Sequence, residues 1–203
     1  MKGGLFLEML GLEHAHVLQR SFAGNTEMDR CCSLALRDLD RQSWVGDFLS
    51  VISNDERQFN APGVRVPMVS LSRVLPRDSP DWPFRNYHSD QDRPEAYSPG
   101  QLEESRQVVL GMIDVIEGNL VPVRLYKGVL FLSRYGLHID ACSDEERHGM
   151  LVDILDSIDG TRTVVDIAEA CDADFKPVKA TIDELQRHGL VRYLDPLFDS
   201  PEC

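Results

Sequence analysis

A long helical pattern near the middle of the sequence divides this chain of 203 residues into two parts. Ser98 followed by Pro99 is typical of a helix N-cap and first turn, and Gly118-Asn119 is typical of a helix end. Between these signals, apolar residues recur at the spacing of one helix face: Leu102, Val108, Val109, Met112, Ile113, Val115 and Ile116. We therefore expect one unit to close near Asn119 and a second unit to follow it.

The first part mixes strand and helix signals. The apolar run 4–11 is bounded by glycines, which predicts a buried strand with Glu8 near its carboxyl end. Asp29 is a candidate cap for a helix that continues to Leu39. The valine-rich run 64–71 predicts a second strand. This mixture is typical of an α/β domain.

Two segments of the first part are predicted to be loops. Residues 54–59 are polar and follow no helical or strand period. Residues 75–94 contain four prolines and many other turn-forming residues, so this stretch is predicted to be one long loop. Long loops inside compact domains are usually functional or mobile. Pro67, within the predicted strand 64–71, marks an edge or an irregularity.

The second part has the pattern of a winged helix-turn-helix. Helical spacing begins at Asp144, and two further helical patterns follow at 163–171 and 176–188. A glycine stop and the β-type run 190–193 come next. We therefore predict domains at 1–119 and 142–203, joined by an extended connector at 120–141.

Charge, cysteine content and hydropathy exclude several classes of protein. The formal net charge is −13, from 21 Lys and Arg against 34 Asp and Glu, which disfavours contact with phosphate backbones or anionic membranes. Five cysteines without metal-ligand spacing are typical of free thiols in a reducing compartment, and Cys31-Cys32 fits packing within a helix. No apolar run is long enough to cross a bilayer, and the start does not read as a signal peptide. We expect a cytoplasmic protein.

Glu8 and His88 are the candidate metal ligands. Glu8 ends the first predicted strand and His88 lies in the proline-rich loop; carboxylate and imidazole both suit zinc. Each has a simpler interpretation, because a lone carboxylate is commonly solvated and a lone loop histidine commonly lies on the surface. A less favoured alternative places additional ligands at Glu13, His14 and His16. No nucleophile elbow or phosphate-binding glycine loop is present.

Three motifs resemble those of the clan MH zinc aminopeptidases, which include bacterial leucyl aminopeptidases, glutamate carboxypeptidase and glutaminyl cyclase. Residues 3–11 resemble their strand ending in Asp/Glu-Met. Residues 53–71 are similar to their Ser-Asp-x-x-x-Phe loop and the proline-containing strand behind it. Residues 87–92 are similar to their Tyr-His-Ser/Thr-x-x-Asp segment. The winged-helix tail from Arg134 resembles a bacterial aminopeptidase-like subgroup, often linked with polysaccharide-biosynthesis loci.

The resemblance implies a partial aminopeptidase-like α/β/α sandwich with a mixed sheet. It also implies zinc as cofactor, and hydrolysis of a peptide or amide substrate by metal-activated water. Within the family pattern, Glu8 and His88 match ligands of two different zinc ions. The other ligands and the general-base glutamate have no counterpart and would precede Met1. We therefore expect the C-terminal portion of a metallopeptidase that is inactive alone.

A truncated sheet would leave a strand edge unpaired and apolar surface exposed, so this portion is also expected to be poorly soluble or to depend on a partner. The main alternative is a non-enzymatic protein-interaction module in which the winged helix contacts a protein partner or another copy of the chain. A DNA-binding regulator is less favoured, because residues 141–203 carry 6 Lys and Arg against 15 Asp and Glu. A module with this negative charge lacks the cations that neutralise phosphates and release counterions. No nucleic-acid or membrane partner is expected.

Overall fold

The computed structural model describes residues 3–194, which form two compact units with a boundary between Ile116 and Glu117. The first unit contains β1 (Gly4–Glu8), β2 (Val17–Gln19), α1 (Glu27–Leu39), β3 (Trp44–Gly46), α2 (Glu56–Asn60), β4 (Met68–Ser72) and α3 (Pro99–Gly118), whose last turn reaches this boundary. The second contains β5 (Val121–Arg124), α4 (Glu145–Ser157), α5 (Val164–Ala170), α6 (Phe175–Arg187) and β6 (Val191–Leu194). Short 3-10 helices lie at Pro94–Ala96 and Leu132–Tyr135. The end of the predicted winged-helix domain, 195–203 with Cys203, lies outside the described residues.

The sheet of the first unit is mixed, as predicted. Its strand order is β1-β4-β2-β3. β1 and β4 run parallel, as do β2 and β3, whereas β2 and β4 are antiparallel. Because Glu8 lies opposite Ser72, the carboxyl ends of β1 and β4 meet at the same edge of the sheet.

Local chemistry shifts two predicted boundaries in the first unit. The strand predicted at 64–71 begins only at Met68, because Pro67 precedes it and Arg65 has a left-handed backbone with φ of 49°. The predicted polar loop at 54–59 contains the short helix α2, so the prediction of a loop there is wrong. At five residues, α2 is too short to show a helical period.

The N-terminus of α1 also differs from prediction. Thr26, not Asp29, is the N-cap. Asp29 is the third helical residue and completes a capping box: its backbone N–H donates to the Thr26 hydroxyl, and its carboxylate accepts from the Thr26 N–H at 2.8 Å. Cys31 and Cys32 are fully buried on this helix, which confirms their predicted packing role.

The second unit has the predicted winged-helix plan of three helices and a closing strand. Its core is built from buried apolar residues on each helix: Ile154 on α4, Ile167 on α5, and Ile182 and Leu185 on α6. β5 pairs antiparallel with β6, so part of the segment expected to be an extended connector is a strand of this unit. Within residues 3–194, no helix combines the length and apolar character needed to span a membrane.

Candidate functional site

Glu8 lies at the carboxyl end of β1, as the sequence predicts. Its carboxylate accepts a hydrogen bond from Asn54 Nδ2 at 3.0 Å and a longer one from Ser70 Oγ at 3.4 Å. Burial raises the pKa of Glu8; the hydrogen bond from Asn54 opposes this shift, and the nearby charge of Glu56 adds to it. Because partial burial disfavours the charged form of Glu8, an approaching cation would stabilise that form more than it would stabilise a fully solvated carboxylate.

A second, fully buried carboxylate positions the partner of Glu8. Glu56 accepts hydrogen bonds from the Asn54 backbone N–H at 3.0 Å and from Gln19 Nε2 at 3.2 Å. The side-chain oxygen of Gln19 in turn accepts from the backbone N–H groups of Val51 and Ile52. Glu56 therefore holds the segment that brings Asn54 to Glu8. Sequence reasoning missed this role because Glu56 reads as part of a polar loop.

His88 lies in the long loop after β4 and is exposed. Its ring stacks on Tyr87 with a centroid distance of 3.8 Å, and Tyr87 packs edge-on against the buried Phe84. The backbone of His88 is left-handed, with φ of 54°, which is uncommon for a residue other than glycine. The His88 imidazole is therefore packed on aromatic rings on one side and exposed to solvent on the other.

The residues present do not form a complete zinc site by themselves. Zinc normally takes three or four protein ligands. Within residues 3–194, no group of three His, Cys, Asp or Glu side chains is placed to hold a metal ion. Glu8 and His88 therefore belong to no such group among the described residues.

The alternative ligand His16 belongs to a different cluster. This buried side chain lies with Nδ1 2.7 Å from Asp40 Oδ2 and Nε2 2.9 Å from Ser105 Oγ. Arg73 Nε also donates to His16 Nε2 at 3.1 Å. Burial lowers the pKa of His16 despite the hydrogen bond to Asp40, so at neutral pH the uncharged ring donates from Nδ1 and accepts at Nε2. With both nitrogens occupied, His16 is not available to a metal.

The cluster has the Asp-His-Ser order of a hydrolase triad, but it cannot attack a substrate in this arrangement. The Ser105 side chain is fully buried; its hydroxyl donates to the Leu10 carbonyl at 2.9 Å and accepts from Arg73 Nε at 3.0 Å. A nucleophile must reach the scissile group. We therefore assign the cluster a structural role: it joins the residue before β2, the C-cap of α1, helix α3 and the residue after β4.

The chain is thus a mixed α/β domain, with the polar residue Glu8 at the carboxyl ends of β1 and β4, followed by a winged-helix domain. Comparison with known families supports both parts. Residues 1–119 match the family described as a domain of unknown function, DUF4910, and the chain belongs to this family. Residues 131–193 match a winged helix-turn-helix family.

Two similar proteins extend the comparison. One, from Clostridium acetobutylicum, is provisionally named a polysaccharide biosynthesis protein with an aminopeptidase-like domain. It is 27% identical over 197 residues, which cover 95% of this chain and 44% of the relative. The other is a crystal structure of a C. acetobutylicum protein provisionally described as a peptidase, with a TM-score of 0.82, 25% identity, and coverage of 96% of this chain and 42% of that one. The chain therefore resembles an aminopeptidase-like protein and spans less than half the length of either match.

Proposed function

We propose that this chain is the C-terminal portion of a zinc-dependent aminopeptidase-like hydrolase that acts on peptide or amide substrates. The observation that carries the proposal is the position of Glu8. Its half-buried carboxylate stands at the sheet edge where parallel strands β1 and β4 end, and the loop bearing His88 follows β4. Glu8 and His88 would supply one donor each to the metal centre.

We further propose that the chain is inactive by itself. Glu8 and His88 are two donors for a centre that requires more, and the general-base glutamate of the resembled zinc aminopeptidases has no counterpart among the residues of this chain. A single carboxylate or imidazole holds zinc weakly, so the bound water would not be activated. Hydrolysis would then require ligands from outside these residues.

Zinc binding and turnover test the proposal on the purified 203-residue chain. We expect no cleavage of an aminoacyl anilide with or without added zinc, and only weak zinc binding in equilibrium dialysis. Glu8→Gln and His88→Ala should each reduce that weak binding. Glu145→Gln and His138→Ala, which alter exposed residues of the second unit, serve as matched controls.

Two results would contradict these expectations in different ways. Cleavage that disappears on chelation and returns with zinc would refute inactivity while supporting the hydrolase assignment. Zinc binding that is unchanged in Glu8→Gln and His88→Ala, yet lost in either control, would refute the assigned ligands.

A second candidate function is contact with protein through the winged helix. The observation in its favour is that two of the three cations on α6, Lys179 and Arg187, are already paired within the helix. Lys179 Nζ lies 2.6 Å from Asp183 Oδ1, and Arg187 pairs with Glu184. Cations neutralised in this way contribute little to phosphate binding. We infer that this unit contacts protein rather than DNA.

A DNA titration at two salt concentrations tests this inference. We expect weak binding of duplex DNA with a shallow salt dependence. Tight binding that falls steeply as salt rises would show that the charge argument is wrong. Asp183→Asn frees Lys179 from its closest carboxylate, and it should strengthen DNA binding if charge pairing is what prevents it.

A further inference from the structure

The first unit contains a small open cavity whose lining is basic and aromatic. The cavity has a volume of about 330 Å³, and its lining includes Phe22, Phe48, Leu49, Arg57, Asn60 and Arg65. We call it the Phe22–Arg65 cavity. Phe22 and Phe48 meet edge to face, with ring centroids 5.7 Å apart. The Arg65 guanidinium lies over the Phe22 ring, 3.6 Å from its centroid. This arrangement places a cation and an aromatic surface side by side.

The charge of the cavity is opposite to that of the whole chain. The net charge of the chain is −13, yet the residues lining the cavity include Arg57 and Arg65 and no acidic side chain. Two acidic residues directly precede lining residues along the chain, and both already have partners. Asp47, before Phe48, is paired with Arg20 at 3.3 Å. Glu56, before Arg57, is buried and accepts hydrogen bonds from Gln19 and from the Asn54 N–H. Two cations therefore face this cavity without a carboxylate in its lining to neutralise them.

Both arginines retain donors for a ligand. Arg65 uses Nη1 to donate to the Asn60 carbonyl at 2.9 Å, which leaves further N–H groups on its guanidinium. The Arg57 side chain is exposed, and within residues 3–194 it has no hydrogen-bond or ion-pair partner. A guanidinium stacked on a ring presents its remaining N–H groups along the edge of its plane, where a planar anion binds in bidentate fashion.

The walls of the cavity are held in place by buried contacts. Asn60 is buried; its side-chain oxygen accepts from the Phe22 N–H at 3.0 Å, and its Nδ2 donates to the Met68 carbonyl at 2.9 Å. Leu49 and Arg65 both have left-handed backbones, with φ of 62° and 49°. Such conformations are strained for residues other than glycine and occur preferentially at binding sites.

We propose that the Phe22–Arg65 cavity binds a small organic anion in which a carboxylate or phosphate is attached to an aromatic or apolar group. The anionic oxygens lie against Arg57 and Arg65, and the apolar group lies against Phe22 and Phe48. A volume of about 330 Å³ is at the lower end of the range for ligand sites, which suits a single ring or side chain. The carboxyl terminus of an apolar peptide and an aryl phosphate ester share this chemistry.

Three probes test the proposal on the full chain: N-acetylphenylalanine, phenyl phosphate, and the neutral N-acetylphenylalanine amide. We expect at least one of the anions to bind saturably in a titration followed by NMR, with shifts at Phe22 and Phe48. The amide should bind about tenfold more weakly, because it lacks the charge-assisted hydrogen bonds. Tighter binding of N-acetylphenylalanine indicates that the natural ligand is the carboxyl terminus of a peptide. Tighter binding of phenyl phosphate indicates that the natural ligand is a phosphate ester.

Variants provide the second arm of the test. Arg57→Gln and Arg65→Gln should each weaken binding of the anion about tenfold. The Arg57 side chain has no hydrogen-bond or ion-pair partner within the described residues, so its variant should fold normally even if loss of the Arg65 hydrogen bond disturbs the turn. Arg106→Gln, at an exposed ion pair on α3, is the matched control and should bind as the wild type does. Absence of saturable binding by both anions, equal binding of the amide, or unchanged binding in Arg57→Gln would overturn the proposal.

Discussion

Replacement of Arg73 by methionine is expected to destabilise the first unit substantially. The Arg73 side chain is only 6% exposed, and it donates to four acceptors from two parts of the unit, the segment before β2 and helix α3. Nε is shared between His16 Nε2 and Ser105 Oγ, Nη1 donates to the His14 carbonyl at 2.7 Å, and Nη2 donates to Glu104 at 2.8 Å. Loss of the guanidinium leaves buried acceptors without their donor.

The magnitude follows from which of these acceptors can return to water. Glu104 is 63% exposed, so its ion pair contributes at most about 1 kcal/mol. The hydrogen bonds to buried neutral acceptors contribute about 1.5–3 kcal/mol each, because the donor is charged. Methionine retains most of the apolar volume and avoids burying a charge, which offsets part of the loss. We expect a net reduction in the free energy of unfolding of about 2–3 kcal/mol for Arg73→Met.

Tryptophan fluorescence provides a selective assay. The chain has two tryptophans, Trp44 and Trp82, and both lie in the first unit, so fluorescence during urea unfolding reports on that unit. Glu104→Gln is the matched control, and it should cost less than about 1 kcal/mol. The reasoning is refuted if Glu104→Gln costs as much as Arg73→Met, because the exposed ion pair would then account for the effect.

Three further predictions concern pH and packing. Stability of the first unit should fall as pH drops below about 6.5, since the lowered pKa of His16 means that the unfolded chain binds its proton more readily; His16→Gln should flatten this dependence in urea unfolding at several pH values. Glu8→Gln should stabilise the first unit at pH 7, because burial raises the pKa of Glu8 and disfavours its charge. This increase in the free energy of unfolding should vanish below about pH 4.5, where Glu8 is protonated in both the folded and the unfolded chain. Glu145→Gln, at an exposed position, should show no such increase. Ile182→Ala should cost about 2–5 kcal/mol by circular dichroism, whereas Val152→Ala at an exposed position of α4 should cost far less; equal costs would contradict the packing of α6.

The elements that were predictable are those long enough to repeat their own pattern. α3 spans 20 residues and α4 and α6 span 13 each, so apolar residues recur several times on one face. β1 was predictable because glycine bounds an apolar run that ends in a carboxylate. β2 and β3 have only three residues each, and so few positions show no period.

The candidate site was predictable only in part. The position of Glu8 at a strand end follows from the local sequence, but its partners Asn54 and Ser70 lie 46 and 62 residues away. The partner of His16 on α3, Ser105, lies 89 residues away. Nothing in the sequence near these residues indicates such pairings, because they depend on how strands and helices stack.

Local spacing is sufficient to establish an α/β unit, a winged-helix unit and the carboxylate that ends β1, because these features depend on backbone hydrogen bonds and side-chain periods within a few residues of each other. The acidity of the second unit follows from composition alone. Three-dimensional packing alone buries Glu56 beneath Asn54, joins His16 to Arg73, and places Arg65 over Phe22. These contacts join distant segments, and a shift of one residue in strand register would turn each strand side chain to the opposite face.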